Sequence, residues 1–236
     1  MTKLSSLGLP FIASVATLYV YSFTYNVTSV GIKSGNVFTF KGYGGKFKFL
    51  TFWNLSIQTI YFALSLVNFV IGSNVPPTAD PKRKTAIQKF RDCFHATIVF
   101  PTGMFVVMTF WAIYAVDREL VYPESLDKII PAWVNHVNHT FVLPILLIEK
   151  YLIYHQYPNK GKGILVILAF ALTYLVWILW IAYKADIWVY PVLKVLDTPQ
   201  KAIFIFFLML LFVSLYLIGE GLTIFLWRKT PKQKRR

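Results

Sequence analysis

Residues 163–183 read GILVILAFALTYLVWILWIAY, an unbroken apolar stretch without a charged side chain. At a rise of 1.5 Å per residue, a helix of about 20 apolar residues crosses the roughly 30 Å hydrocarbon core of a bilayer. Across all 236 residues, 56% are apolar and 14% are charged, and the mean hydropathy is +0.56. Soluble domains carry about 25% charged residues, so this composition excludes a cytosolic enzyme, a secreted growth factor and a disordered tail.

Six stretches of this kind predict an all-α, polytopic membrane protein, a bundle of six transmembrane helices. Loops that contain glycine, proline and lysine separate these stretches, and the chain is interpreted as a single transmembrane domain, residues 1–236, with a basic cytosolic tail at 228–236. The fourth stretch is the least uniform, and Pro144 inside it predicts a kink. The predicted spans are about 8–28, 48–71, 94–116, 130–153, 163–183 and 203–227.

Basic residues are unevenly shared between the two sides of the predicted bundle. Fifteen fall in the tails and the second and fourth loops, against nine in the other three loops. Because lysine and arginine favour the cytoplasmic side, both termini are predicted to be cytoplasmic. Lys232 to Arg236 resemble an endoplasmic-reticulum retrieval signal, although a plain basic anchor explains them equally well, so the endoplasmic reticulum and/or the plasma membrane is predicted. Anionic lipid head groups account for the net charge of +14, and no nucleic-acid partner is predicted.

A short sequence pattern occurs twice, 68 residues apart. Both copies run from a tryptophan near the end of an apolar stretch to a Val-Tyr-Pro step. This pattern predicts repeated helical hairpins formed by spans three and four and by spans five and six. Aromatic residues that gather at a membrane interface give the same pattern without a repeat, and that alternative stays open. The two copies are Trp111-Ala112-Ile113-Tyr114 to Val121-Tyr122-Pro123 and Trp180-Ile181-Ala182-Tyr183 to Val189-Tyr190-Pro191.

The fourth stretch is the richest in polar side chains. Asn135 and His139 are four residues apart and share a helical face, and ionisable groups in a membrane are typical of functional sites. His136 and His139 have a usable spacing for metal or haem, but they lack a suitable third ligand, and the single Cys93 excludes a cysteine-rich site. No metal and no cofactor are therefore predicted. Position 51 alone favours the interpretation that Thr51 is an ordinary helix residue whose hydroxyl is hydrogen-bonded to its own backbone.

Six motifs, found in order along the chain, carry a family resemblance that extends from about residue 20 to residue 228. The first is Tyr43-Gly44-Gly45 with Lys48-Phe49-Leu50-Thr51-Phe52. The others are Phe110 to Glu119 with Tyr122-Pro123, Pro131 to Thr140, His155 to Pro158, Trp188 to Pro191 and Tyr216 to Glu220. With these motifs the chain resembles the androgen-induced gene 1 family, which includes the androgen-dependent regulator of tissue factor pathway inhibitor.

The resemblance implies an integral-membrane hydrolase that cleaves fatty acid esters of hydroxy fatty acids into a fatty acid and a hydroxy fatty acid. It implies a threonine nucleophile at Thr51 and a histidine base at His139, a pairing that activates a hydroxyl. Both lie on helices predicted to enter from the outer side, at depths of about 6 and 9 Å, so contact between them is possible. Glu220, about 25 Å from that side, is assigned a structural or inner-side role.

Five further residues are candidates for supporting roles. Asn54, Asn135 and Asn138 are candidates to orient the imidazole or to bind an oxyanion. Lys46 and Lys48 are candidates to bind the carboxylate of the lipid, with snorkelling at the membrane surface as the alternative. The predicted partners are the lipid bilayer and this membrane lipid substrate.

Two other function classes compete with the hydrolase. A small-molecule transporter needs a polar path through both leaflets, but polar residues are scarce at about 143–148 and 164–172. A non-catalytic membrane regulator or scaffold needs no reactive pair at all. Lipid turnover by the purified protein distinguishes both from the enzyme.

Overall fold

The computed structural model describes residues 3–30 and 42–227, and all regular structure in these two ranges is helical. This confirms the predicted all-α fold. A π-helical turn, His95–Val99, joins the third and fourth helices into one continuous helix, and short 3₁₀ turns precede α2 and follow α4. The α-helices of these ranges are α1 (Lys3–Thr28), α2 (Leu50–Ile71), α3 (Ala86–Phe94), α4 (Phe100–Val116), α5 (Ala132–His139), α6 (Val142–Leu152), α7 (Lys160–Ala185), α8 (Pro191–Val195) and α9 (Thr198–Leu226).

Five helices among the described residues are long and apolar enough to cross a membrane, which confirms a polytopic membrane protein in a lipid bilayer. Each overlaps one of the predicted spans, but the stretch predicted at about 130–153 is not among them, so six spans are not confirmed. The single-domain organisation stays a prediction, and the basic tail at 228–236, with its retrieval-like end, lies outside the described residues. The five helices are Leu7–Thr28, Leu50–Ile71, Ala86–Val116, Lys160–Ala185 and Thr198–Leu226.

The fourth predicted span is broken into α5 and α6 at Thr140 and Phe141. Proline 144 has no N–H to donate to the carbonyl of Thr140, and its ring would clash with that carbonyl in a continuous helix. The break therefore lies one turn before the proline. Pro144 itself sits in the first turn of α6, where a missing N–H is tolerated. The sequence predicted a kink, whereas the structure has two separate helices.

Packing follows the helix pairs α1 with α2 and α9 with both α4 and α7. Stacked aromatic rings lie at two of these three interfaces, Tyr19 of α1 on Phe62 of α2 with centroids 5.4 Å apart and Phe105 of α4 on Phe212 of α9 with centroids 3.8 Å apart. Because lipid is as apolar as leucine, such van der Waals contacts associate membrane helices. The outer surfaces of α7 and α9 expose large apolar side chains, among them Val176, Phe206, Phe207 and Phe225, to the lipid.

A tight glycine turn sets the start of α2. Gly44 and Gly45 have φ angles of 79° and 53°, in the left-handed region that glycine adopts without strain. A Cβ on Gly44 would meet the side chains of Ile181 and Trp177 at 3.2 Å. The turn therefore packs directly on α7, and it places Thr51 in the first turn of α2.

Candidate active site

Thr51 and His139 lie side by side where α2 begins and α5 ends. The Thr51 Oγ1 atom is 3.0 Å from the His139 Nε2 atom, a hydrogen-bonding distance across 88 positions of sequence. His139 is buried, and Thr51 is half-buried. The threonine hydroxyl is thus hydrogen-bonded to an imidazole. Position 51 alone had instead predicted a hydrogen bond to the backbone of its own helix.

Asn135 fixes the other nitrogen of this imidazole. His139 Nδ1 lies 2.8 Å from the Asn135 side-chain oxygen Oδ1 and 3.1 Å from its backbone carbonyl oxygen. Two acceptors at Nδ1 favour the tautomer that carries its proton there. His139 Nε2 then has a lone pair that accepts the proton of the Thr51 hydroxyl.

Two aromatic side chains of α4 hold the ring of His139 in place. Phe110 stacks on the imidazole, with centroids 3.7 Å apart and ring planes 10° apart. The Trp111 indole N–H donates to the His139 backbone carbonyl at 2.7 Å. That carbonyl belongs to the last turn of α5 and has no intrahelical donor, so the indole satisfies a backbone group that the helix break leaves unpaired.

Two cavities meet at Thr51. The first, of about 120 Å³, lies among α4, α7, α8 and α9 and is almost entirely apolar. The second, of about 90 Å³, contains the polar side of the site. Thr51, Phe110, Val121 and Tyr190 line both cavities. Thr51 therefore lies between two largely apolar cavities, of which the second also contains the polar side chains Asn135, Asn138 and His139.

The structure groups some of the predicted supporting residues with this pair and separates others. Asn138 is buried and lines the second cavity together with Asn135 and His139. Asn54 is buried away from both cavities, and its side-chain oxygen accepts a hydrogen bond from Gln58 Nε2 at 3.1 Å. Asn54 is therefore part of the contact between α2 and its neighbours, one turn below the threonine.

The structure also separates the two candidate lysines, since only one of them lines either of these two cavities. Lys46 lines the second cavity, and its ammonium group donates to the backbone carbonyl of Asn26 at the end of α1. Burial lowers the pKa of Lys46 from its ordinary value, because a charged ammonium loses hydration there. Lys48 is buried with its Nζ 5.4 Å from the centroid of the Phe49 ring, and it lines neither cavity.

Two tyrosines that the sequence reasoning did not select lie at the start of α2. The Leu50 N–H is 2.9 Å from the Tyr174 hydroxyl oxygen and 3.0 Å from that of Tyr190. Tyr174 donates to the Lys48 carbonyl at 2.9 Å, and the two tyrosine hydroxyls lie 3.0 Å apart. Because the Tyr174 proton is used at Lys48, Tyr190 is the donor in that contact. Burial raises the pKa of Tyr190, which keeps its hydroxyl protonated. The Val-Tyr-Pro step was the available signal, since Tyr122 and Tyr190, from its two copies, both line the second cavity.

His136 and Glu220 lie apart from this pair. The His136 Nδ1 atom is 3.0 Å from the Thr140 hydroxyl on the exposed side of α5. Glu220 lies 3.6 Å from the Lys160 Nζ atom, and it lines neither cavity. The site described here consists of Thr51, His139, Asn135 and the side chains of the two cavities.

The fold and this buried polar pair define a multi-pass, all-α membrane protein with a site inside the bundle. Residues 9–223 match the family model of FAR-17a/AIG1-like proteins, and the chain belongs to that family. Its sequence is 38% identical to the human androgen-induced gene 1 protein over 188 residues, which are 78% of this chain and 79% of that protein.

Two further relatives extend the comparison. The androgen-dependent TFPI-regulating protein of Mus musculus is 34% identical over 232 residues, 98% of this chain and 97% of that protein. A UPF0641 membrane protein of Schizosaccharomyces pombe is 21% identical over 220 residues, 92% of this chain and 89% of that protein. No solved structure matches the chain significantly.

Proposed function

We propose that the protein is an integral-membrane hydrolase that cleaves fatty acid esters of hydroxy fatty acids, with Thr51 as nucleophile and His139 as base. The observation that carries this proposal is the 3.0 Å contact between Thr51 Oγ1 and His139 Nε2 at the point where the two cavities meet. A hydroxyl becomes a nucleophile when a positioned base accepts its proton, and a third group that orients the base completes such a set. Asn135 has the contacts for that third role.

The reaction proceeds in two halves. His139 Nε2 takes the Thr51 proton while Oγ1 attacks the ester carbonyl carbon. The tetrahedral intermediate collapses, the bond from the carbonyl carbon to the alkoxy oxygen breaks, and the imidazolium returns the proton to the departing hydroxy fatty acid. Water then gives a proton to His139 and attacks the acyl-threonine. The fatty acid leaves, and Thr51 recovers its proton.

Hydrogen-bond donors near Thr51 stabilise the oxyanion of both intermediates. Tyr190 lines both cavities, and the Leu50 N–H holds its hydroxyl at the start of α2. The Tyr190 proton, which faces the Tyr174 hydroxyl, turns to the oxyanion when substrate binds. The Thr51 N–H, in the first turn of α2, has no hydrogen-bond partner among the described residues, as expected for a helix N-terminus. The amide of Asn138 is a further donor on the polar side, whereas Asn54 is excluded because it lies away from the cavities.

The two cavities suit the two parts of the substrate. The first cavity offers apolar walls, such as Phe105, Ile178 and Leu208, to the fatty acyl chain. The second offers the ammonium of Lys46 to the carboxylate of the hydroxy fatty acid. A charge pair in a partly desolvated cavity gives orientation as well as affinity. Lys48, which lines neither cavity, has no such position.

Purified protein in nanodiscs tests the proposal through hydrolysis of such an ester and labelling by an activated serine-hydrolase probe. Thr51→Val, which removes the hydroxyl with little change in shape, is expected to abolish both. His139→Asn is expected to abolish hydrolysis. Thr59→Val is the matched control, since Thr59 bonds to the Leu55 carbonyl of its own helix at 2.7 Å, and His136→Asn is the control for histidine.

The competing functions give different results in this assay. A transporter moves the lipid without consuming it, and a regulator or scaffold leaves it intact. Absence of hydrolysis by the folded wild-type protein, or undiminished labelling of Thr51→Val, would overturn the proposed enzyme.

The membrane orientation that we propose puts both termini in the cytoplasm, in the endoplasmic reticulum and/or the plasma membrane. The excess of basic residues in the tails and the second and fourth loops supports it. In that orientation Thr51 and His139 lie toward the non-cytoplasmic side. Water and the carboxylate of the lipid then reach the site from that side.

A further inference from the structure

A second group of polar side chains is buried about 15 Å along α2 from Thr51, by the rise of ten helical residues to Tyr61. His95, Glu149 and His155 are its members, and their side chains are fully buried. They come from three separate parts of the chain: the π turn after α3, helix α6 and the segment that follows α6. Three ionisable side chains buried together in a membrane protein indicate a function.

The ligand-type atoms of this cluster converge. His95 Nε2 lies 3.0 Å from Glu149 Oε2, and His155 Nε2 lies 2.6 Å from Glu149 Oε1. One nitrogen or oxygen atom from each residue lies within 4.8 Å of those of the other two. The two imidazole rings stack with centroids 3.9 Å apart. The two stacked imidazoles thus present a nitrogen each to the Glu149 carboxylate, one to each of its oxygens.

Three atoms of the cluster have no hydrogen-bond partner among the described residues, and two of them face each other. The two facing atoms are His95 Nε2 and Glu149 Oε2, which lie 3.0 Å apart but outside hydrogen-bonding geometry. His95 Nδ1 is unpartnered as well. Buried polar atoms are nearly always satisfied. A cation between the imidazole and the carboxylate would satisfy both of the facing atoms at once.

The surroundings of His155 match the outer shell of a metal site. Its Nδ1 atom is 3.3 Å from Asp92 Oδ1, which leaves Nε2 to point at the cluster. Asp92 is itself held by Arg91 Nη2 at 2.8 Å and by Lys84 Nζ at 3.3 Å. Metal-bound histidines commonly donate their second N–H to such a carboxylate, which fixes the tautomer and the ring orientation.

The helix geometry gives independent support. His95 is the first residue of the π turn His95–Val99, which interrupts an otherwise continuous helix. Single π turns inside α-helices occur frequently at functional sites, because the extra residue turns side chains toward a chosen point. Here the interruption falls at the residue that supplies one of the two imidazoles.

We propose that His95, Glu149 and His155 bind a Zn²⁺ ion, with the Tyr61 hydroxyl as the adjacent oxygen. Zinc favours imidazole nitrogen and carboxylate oxygen in tetrahedral sites with bonds of about 2.0–2.2 Å, which corresponds to about 3.4 Å between ligand atoms. The imidazole nitrogens lie 3.0 and 2.6 Å from the Glu149 oxygens, closer than that value, so binding of the ion requires Glu149 to draw back and one of the stacked imidazole rings to turn out of the stack. Tyr61 bonds to Glu149 and lies 3.3 Å from His155 Nε2.

The expected role of the ion is structural. Every ligand is buried, and closed zinc sites contribute directly to folding. The ion would join α2, the π turn, α6 and the segment after α6, at a place where α6 is a short helix and needs anchoring. This inference does not rest on the proposed hydrolase, because no ligand of the ion lines either cavity at Thr51.

Metal analysis of the wild-type protein, purified in detergent without chelators, tests the site. We expect about one zinc per chain, and at least a tenfold loss in His95→Gln and Glu149→Gln. His136→Gln is the matched control, since His136 is a partly exposed histidine outside the cluster, and Thr51→Val retains the ion. Folded wild-type protein that binds no zinc when offered it, or equal zinc in wild type and variants, would overturn the proposal.

A measurement on the wild type alone covers the case in which the variants fail to fold. X-ray absorption at the zinc edge is expected to show imidazole nitrogen and oxygen neighbours at about 2.0–2.2 Å. A sulfur neighbour, or oxygen neighbours alone, would reject the assignment. In that event the cluster is a hydrogen-bonded network in which His155 bridges Asp92 and Glu149.

Discussion

The imidazole of His139 lies flat against the phenyl ring of Phe110, at a centroid separation of 3.7 Å. Stacking restrains the ring about one axis, while Asn135 at Nδ1 restrains it about another. The position of Nε2 relative to the Thr51 hydroxyl therefore depends on a side chain that takes part in no proton transfer. Phe110 also lines both cavities, so its ring lies between the imidazole face on which it stacks and the cavity space.

Phe110→Ala is expected to lower kcat by about 10-fold to 100-fold, since small misplacements of a catalytic group have effects of that size. Ester hydrolysis by the purified variant, at saturating substrate, measures the loss. Phe206→Ala, at a lipid-exposed phenylalanine of α9, serves as the control and should retain full activity. An unchanged kcat in Phe110→Ala would show that the stacked ring does not position the base.

Tyr190→Phe is expected to lower kcat roughly 100-fold, with little change in KM, because removing one oxyanion donor commonly has an effect of this order. Steady-state kinetics on one ester separates the two parameters. Tyr183→Phe is the matched control, since Tyr183 is exposed at the end of α7. A change confined to KM would instead assign the Tyr190 hydroxyl to substrate binding.

Lys46→Met is expected to raise KM for a substrate with a free carboxylate and to leave its methyl ester unaffected. Burial lowers the pKa of Lys46, so the ammonium charge is complete at low pH and is lost as pH rises through that lowered value. Binding of the free acid should therefore weaken with rising pH, and Lys46→Arg should flatten this dependence, since arginine stays charged. If Lys46→Met changes KM equally for the free acid and for its methyl ester, Lys46 does not bind the carboxylate, and the snorkelling alternative is favoured.

The proposed orientation is tested with epitope tags in cells whose plasma membrane alone is permeabilised. A tag after Arg236 should bind antibody in these cells, since it is expected on the cytoplasmic side. A matched tag between Glu124 and Ser125, in the loop after α4, is expected on the non-cytoplasmic side. For protein in the plasma membrane this tag should bind antibody in intact cells, and for protein in the endoplasmic reticulum it should do so only after all membranes are opened. The reverse pattern would invert the topology and place Thr51 toward the cytoplasm.

Apolar runs were sufficient to predict the helical membrane fold, because a lipid-exposed backbone must satisfy its polar groups within helices. The same criterion also selected residues 130–153, which form the two short helices α5 and α6, because it measures hydropathy and ignores what Pro144 does to the carbonyl four residues earlier. The pairing of Thr51 with His139 entered through family motifs and a comparison of helix depths. Spacing along the chain gave no direct evidence for it, as the two residues are 88 positions apart.

Other parts of the site required coordinates. Tyr190 follows α7 in a short turn, and sequence alone does not show that this turn folds back onto the start of α2. The cluster of His95, Glu149 and His155 was missed because its members lie in separate predicted elements. The π turn that brings His95 to the cluster has no recognised sequence signature in the pattern of apolar residues.

Helix α5 ends at His139, and the backbone oxygens of its last turn have no helical donors. The Trp111 indole donates a hydrogen bond to one of them, the carbonyl oxygen of His139. Such a gap in the backbone ladder is tolerated only beside protein or trapped solvent. The interruption between α5 and α6 therefore lies beside the second cavity, where Asn135, Asn138 and His139 supply polar side chains. For the proposed hydrolase, the consequence is a place for a water molecule next to the acyl-threonine.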